Sequence, residues 1–209
     1  MIRTTLVALA LAALLTRSPA AQDQLDGSLW LVAPQGATPA LTATTAARDL
    51  QRRFGPASLR FARIPDGEYG DLPGAILFPT DALRRIELTW SDPDTRTTLK
   101  RARLRGDRTL WKIAPGITLG TPLAELQRLN QKPITFSGFG FDGSGMIRDW
   151  NGGRLRALDD VEHPRVYLRL WQSPGTPDLE SASGDRLLTS DLPQLSALRL
   201  FAGEITVSY

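Results

Sequence analysis

The glycine-rich segment SGFGFDGSGMIRDW has the spacing most suggestive of chemistry. Gly138, Gly140 and Gly143 match G-x-G-x-x-G, a loop that holds a dinucleotide pyrophosphate at the start of a helix. The letters that follow, MIRDW and then NGG, are typical of a strand and a turn, so no helix N-terminus is expected to face a phosphate. We therefore predict a β-hairpin with Asp142 and Gly143 near its tip, and no nucleotide cofactor.

Acid–base and metal chemistry would depend on the only histidine, His163, in DDVEHP. Asp159, Asp160 and Glu162 could complete a Ser–His–Asp site with it, but the chain has no G-x-S-x-G nucleophile elbow. One imidazole with carboxylates would be an unusual zinc site, and the glycine-rich loop has too few carboxylates for calcium. We expect an exposed acidic turn, without metal or cofactor. A hydrolase that uses paired carboxylates stays open, because sequence does not give their separation in space.

Three arginines alternate with apolar residues in LKRARLR, so Arg101, Arg103 and Arg105 share one face of a predicted strand. Residues 28–108 carry 13 Lys and Arg against 9 Asp and Glu, whereas residues 109–209 carry 10 against 11. The arginines indicate either a basic sheet face for an acidic protein or lipid headgroup, or a solvated face whose charges guard a sheet edge.

Aromatic residues cluster around the predicted hairpin. Phe139 and Phe141 share a strand face by period-two spacing, and Trp150 lies across the hairpin. Large aromatic side chains anchor many protein interfaces. We predict that Phe139, Phe141, Asp142 and Trp150 line a protein-binding surface, with core packing of the rings as the alternative.

The N-terminal segment MIRTTLVALALAALLTRSPAAQ has the order of a secretory signal: basic Arg3, a ten-residue apolar run, then small residues. A spanning helix needs about twenty apolar residues. We therefore predict a signal peptide over residues 1–21, with cleavage after Ala20 or Ala21 and a periplasmic or secreted product. No other segment has the length and apolarity of a transmembrane helix.

The amino-acid composition further limits the kinds of site and partner that we expect for this chain. Cysteine is absent, so we expect no disulfide, no thiolate catalysis and no lipid anchor, which would need a Cys at the new N-terminus. Removal of Arg3 and Arg17 with the signal leaves 23 bases against 22 acids. Nucleic-acid binding is typical of a much more basic chain. The expected partner is another envelope or extracellular protein.

The chain also contains a repeated order of motifs. SLWLVAP at 28–34 matches TLWKIAP at 109–115, and TAARDLQRRFGP at 45–56 matches TPLAELQRLNQKP at 121–133. A third match, RIELTWSDP with VYLRLWQSP, places the tryptophans on opposite strand faces, so it is either off by one residue or interrupted by a bulge. We predict two tandem repeats, 28–108 and 109–209, with Leu50 and Leu126 in equivalent buried positions.

Each predicted repeat is a short helix on about four antiparallel strands, an α+β layer arrangement. The predicted strands are LRFARI, GAILF, RRIELTW and KRARLR in the first half, and ITFSGF, GMIRDW, VYLRLW and EITVSY in the second. In the second half we expect Thr121 to cap the helix and Pro122 to begin it. The segment 172–203 is the largest insertion relative to the first half and is a candidate for partner-specific function.

The segment GITLGTPLAELQRLNQKP resembles the repeat of the small-protein-A type outer-membrane assembly lipoproteins and of β-lactamase inhibitor protein. The resemblance rests on Gly116, Gly120, Thr121, Glu125, Leu126 and Pro133, and on Leu50, Phe54, Gly55 and Pro56 in the first half. It implies a non-catalytic, inhibitor-like or envelope-associated binding module. The family's cysteines are missing, and Asn130-Gln131-Lys132 replaces the Gly expected near the helix end.

Overall fold

The computed structural model describes residues 41–66, 70–113, 115–141, 143–159, 165–176 and 179–209. The predicted signal peptide, the motif at 28–34, Asp142, and the acidic turn with His163 lie outside these residues, apart from Asp159.

The described chain folds into short helices and antiparallel strands, which confirms the α+β class. The helices are α1 (Ala47–Phe54) and α2 (Leu123–Asn130). The strands are β1 (Leu59–Pro65), β2 (Asp71–Leu77), β3 (Ile86–Trp90), β4 (Leu99–Arg105), β5 (Thr135–Ser137), β6 (Ile147–Asp149), β7 (Arg165–Gln172), β8 (Leu187–Thr189) and β9 (Leu200–Ser208). Short 3-10 helices span Pro56–Ser58, Arg154–Asp159, Leu179–Ala182 and Pro193–Leu198. All eight predicted strands are present, whereas β8 was not predicted.

The sheets do not divide into two separate four-stranded units. Six strands form one sheet in the order β1-β2-β3-β4-β9-β7, and three form a second in the order β6-β5-β8. The first sheet joins the halves because β4 pairs with β9 from Arg101↔Ser208 to Arg105↔Glu204. An isolated bridge, Met146↔Arg169, connects β6 to β7. Pairing β4 with β9 removes two exposed edges, which explains why the last strand of each half is interior.

Both helices contribute leucines to one continuous core. Leu50 is 2% exposed and Leu126 is 0% exposed, so both are buried as the sequence predicts. Two tryptophans of this core satisfy their indole N–H groups on backbone carbonyls: Trp90 donates to Thr45 O at 2.9 Å and Trp111 to Arg84 O at 2.7 Å. Buried indoles need such acceptors, so these bonds fix the loops against the core.

The start of α2 differs from the prediction. Thr121 does not cap the helix: its hydroxyl accepts from Thr118 N–H at 3.0 Å and donates to Thr118 O at 2.8 Å. The helix begins at Leu123, and Pro122 is the extended N-cap residue with ψ 149°. A threonine hydroxyl stabilises a local turn through such bonds to nearby backbone groups. Here the bonds close the turn that precedes the helix.

The end of α2 is held by a buried polar side chain. Fully buried Asn130 donates to Trp150 O at 2.8 Å and Lys132 O at 3.0 Å, and accepts from Leu155 N–H at 3.0 Å. A Cβ on Gly153 would lie 2.2 Å from Asn130 Oδ1, so this approach requires glycine. Asn130 therefore ties α2 to the hairpin and to the turn that follows it.

Candidate functional site

The glycine-rich segment forms a hairpin, as the sequence predicts. Strand β5 pairs antiparallel with β6, with Thr135 opposite Asp149, and the chain between them contains the three motif glycines. Strand β6 follows the motif directly, in the place where a pyrophosphate-binding loop would open a helix. Gly145 has φ 67°, and a Cβ there would lie 2.3 Å from Leu170 O. The glycine therefore lets the hairpin approach β7 closely.

The three aromatic residues that were predicted to bind a partner differ in burial, because two are in the core and one is partly exposed. Phe139 is 5% and Trp150 is 4% exposed, and the Phe139 ring meets the Phe136 ring edge-on at 6.3 Å. Phe141 is half-buried, and Asp142 lies outside the described residues. Backbone bonds to Ala182 O and from Gly184 N–H, both 2.9 Å, also hold Phe139. Burial supports a core role for Phe139 and Trp150, while a binding role for Phe141 stays a prediction.

The three β4 arginines share a sheet face, but their charges are matched. Arg103 pairs with Glu87 at 2.8 Å, Arg105 with Glu204 at 3.2 Å, and Arg101 with Asp66. Strand β4 lies between β3 and β9, so its arginines do not guard an edge. Cross-strand ion pairing is therefore the role that the geometry supports for them.

A groove of about 1110 Å³ lies between α2 and the long connection from β7 to β9. Residues 91–98 join β3 to β4, whereas the connection from β7 to β9 spans residues 173–199. The two ends of that longer connection, 173–174 and 190–199, form one wall of the groove. Buried Leu123, Leu195 and Phe201 line it, together with four prolines. Sequence reasoning singled out this insertion but did not identify the groove, because α2 and the connection are far apart along the chain.

Charged side chains of both signs line the groove: Arg128, Lys132, Arg199, Asp107 and Asp191. The charge of Arg128 is engaged on its own helix, where it pairs with Glu125 at 2.6 Å. That hydrogen bond lowers the pKa of Glu125. Within the described ranges no three His, Cys, Asp or Glu residues are placed to hold a metal ion. The groove thus offers apolar area with a mixed-charge lining.

No described helix has the length and apolar character needed to cross a membrane. Comparison with protein-family models, with curated proteins and with solved structures found no match to this chain. The resemblance to the assembly lipoproteins and to the inhibitor protein therefore stays a prediction. The residues of the groove and of the surrounding surfaces are the basis for inferring a function.

Proposed function

We propose that the chain is a non-catalytic, exported protein-binding module whose groove between α2 and residues 173–199 receives a segment of another envelope or extracellular protein. The observation that carries the proposal is the groove itself, which is apolar at its floor and built partly by the long connection. Loops held on a rigid scaffold are common places for binding residues. The volume of about 1110 Å³ lies at the upper end of the range of ligand sites, about 300–1,000 Å³, so the groove has room for a peptide segment.

The scaffold is, in this proposal, a tandem duplication. Three correspondences support it. Helices α1 and α2 have the same length, and both their first and last residues are separated by 76 positions. The turn bond from Thr118 N–H to Thr121 Oγ1 has a counterpart from Thr42 N–H to Thr45 Oγ1 at 2.8 Å.

The third correspondence is a pair of register shifts. Strand β3 shifts between Thr89 and Trp90, and β7 shifts between Arg169 and Leu170, 80 positions later. An offset of 80 places the buried residues of the two strands on the same face, whereas the sequence match used 81. The third sequence match is thus best explained as off by one residue.

Export is the first expected result. If the first 20 or 21 residues are removed by a signal peptidase, the exported chain should begin at Ala21 or Gln22. Intact-mass measurement of protein from the periplasm or medium checks this. Recovery of the full-length chain from the cytoplasm alone would contradict the proposed location.

The second expected result concerns a variant that blocks the groove. Ala124 is exposed on α2 and lines the groove, so Ala124→Trp should place a large ring where a partner would lie. We expect capture of an envelope protein from an extract to fall by roughly tenfold, which corresponds to about 1.4 kcal/mol. The matched control is Ala157→Trp, at an exposed alanine outside the groove. Equal capture by both variants, with unchanged melting temperatures, would remove the groove from the proposal.

The alternative function is hydrolysis of an envelope polymer by paired carboxylates. It is favoured by one observation, the presence of Asp107 and Asp191 in the lining of the groove. If the chain is a binding module, neither the unaltered chain nor Asp107→Asn and Asp191→Asn should release fragments from purified cell-wall polymer. Release of soluble fragments from purified cell-wall polymer, lost in both variants, would instead establish the hydrolase.

A further inference from the structure

Strand β1 lies at one end of the six-stranded sheet and pairs only with β2 among the described strands. Phe78 N–H donates to Ser58 O and Asp66 N–H to Gly70 O, so even-numbered residues point their backbone groups toward β2. Backbone groups alternate in an antiparallel pair, so odd-numbered residues point outward. Leu59 N–H is bonded to Pro56 O, and Pro65 has no N–H. Phe61 and Arg63 therefore point N–H donors outward, where no described strand accepts them.

The side chains at this edge include an exposed aromatic ring. Phe61 is 46% exposed, and the Arg96 guanidinium lies 4.4 Å from its ring centre. Arg96 O accepts from Ala47 N–H at 2.9 Å, so this stacked pair lies next to the start of α1. Arg60 and Arg63 are also exposed, on opposite faces of the strand. A strand added at this edge would therefore contact the Phe61 ring and the arginine side chains as well as the outward-pointing backbone groups of β1.

Exposed positive charge lies along this edge, whereas other arginines of the first half are engaged in ion pairs. The β4 arginines are paired with carboxylates, and Arg52 of α1 pairs with Asp49 at 3.0 Å. Arg60 and Arg63 on β1 have no ion pair with a described residue, and Arg96, which stacks on Phe61, shares its loop with the exposed Asp92. The exposed carboxylates of described residues near this edge include Asp71, opposite Pro65 at the end of the hairpin, and Asp92 in the loop that carries Arg96. Arg63 donates to the backbone O of Asp71, not to its carboxylate.

We propose that the outer edge of β1 binds an extended acidic segment of a partner protein, which adds as a further strand. The main chain of such a segment would bond to Phe61 and Arg63, and its carboxylates would face the exposed arginines. A second copy of this chain is a poor occupant, because like charges on facing strands destabilise pairing. The exposed arginines, together with Pro65, which has no N–H donor, also disfavour pairing between the β1 edges of two copies of this chain. This site is separate from the groove, so either can fail without the other.

The probe is a fluorescein-labelled eight-residue peptide alternating glutamate and valine, titrated with the mature chain and followed by anisotropy. Arg63→Ala removes the guanidinium charge and keeps the backbone N–H. Arg63→Pro removes the charge and the N–H together. The backbone groups of residue 63 point away from β2, and an edge strand tolerates proline at such a position. We expect Arg63→Pro to bind roughly tenfold more weakly than Arg63→Ala. Arg60→Glu should also weaken binding, and Arg156→Glu, at an exposed arginine of the second half, should not.

Hydrogen exchange on the unaltered chain provides a readout that does not depend on any variant. The peptide should slow exchange at the Phe61 and Arg63 amides. The proposal is overturned if these amides stay unprotected, if a lysine–valine peptide binds equally well, or if Arg63→Pro and Arg63→Ala bind alike. Dimerisation of the chain that Arg63→Pro abolishes would overturn it too, by assigning the edge to a second copy.

Discussion

Leu50→Ala and Leu126→Ala are each expected to lower the free energy of unfolding by about 2–5 kcal/mol. Leu50 is 2% exposed on α1 and Leu126 is 0% exposed on α2, so each truncation removes buried methyl groups and leaves a cavity. Urea unfolding followed by fluorescence of the five tryptophans measures the change. Leu187→Ala is the control, because Leu187 is 66% exposed and its truncation should cost less than about 0.5 kcal/mol.

The two variants together also test whether the halves act as equivalent units. Both leucines occupy the same position in helices of the same length, so costs of similar size are expected. The β4–β9 pairing joins the halves, so each variant should unfold in one transition. A cost below about 1 kcal/mol at either leucine would contradict its assignment to the core. Two separated transitions would contradict a shared sheet.

Phe139→Ala and Phe141→Ala are expected to behave differently, although the two residues are only two positions apart. Phe139 is 5% exposed and packs on Phe136, so its truncation should cost about 3–5 kcal/mol. Phe141 is half-buried at the turn, so its truncation should cost about 1 kcal/mol. Thermal and urea unfolding of both variants check these values.

Capture of an envelope protein by the two variants gives the second readout. If Phe141 contributes to a binding surface, Phe141→Ala should weaken capture while the fold stays intact. Unchanged capture by a folded Phe141→Ala variant would confine the hairpin to a structural role. A small stability cost at Phe139, on the other hand, would contradict its place in the core.

Much of the local structure follows from the sequence. The spacing of apolar residues predicted eight strands, two short helices and the burial of Leu50 and Leu126. The letters after the glycine motif predicted a hairpin in place of a nucleotide loop. These predictions succeed because backbone periodicity and turn chemistry act over a few residues. The prediction that Thr121 caps α2 is wrong, because its hydroxyl bonds within the preceding turn.

The surfaces depend on contacts between segments that are distant along the chain. Alternation placed Arg101, Arg103 and Arg105 on one face, but only the pairing of β4 with β3 and β9 brought Glu87 and Glu204 beside them. Strand pairing uses backbone groups that every residue carries, so the sequence alone does not specify which strands become neighbours.

The same limit applies to the binding candidates. Period-two spacing gave Phe139 and Phe141 a common face, but the packing of Phe136 and the 179–184 turn decided that Phe139 is buried. The insertion 172–203 was visible in the sequence, yet the groove exists only where its return segment packs beside α2. Burial is a property of what surrounds a side chain, and residues distant in sequence supply most of those surroundings.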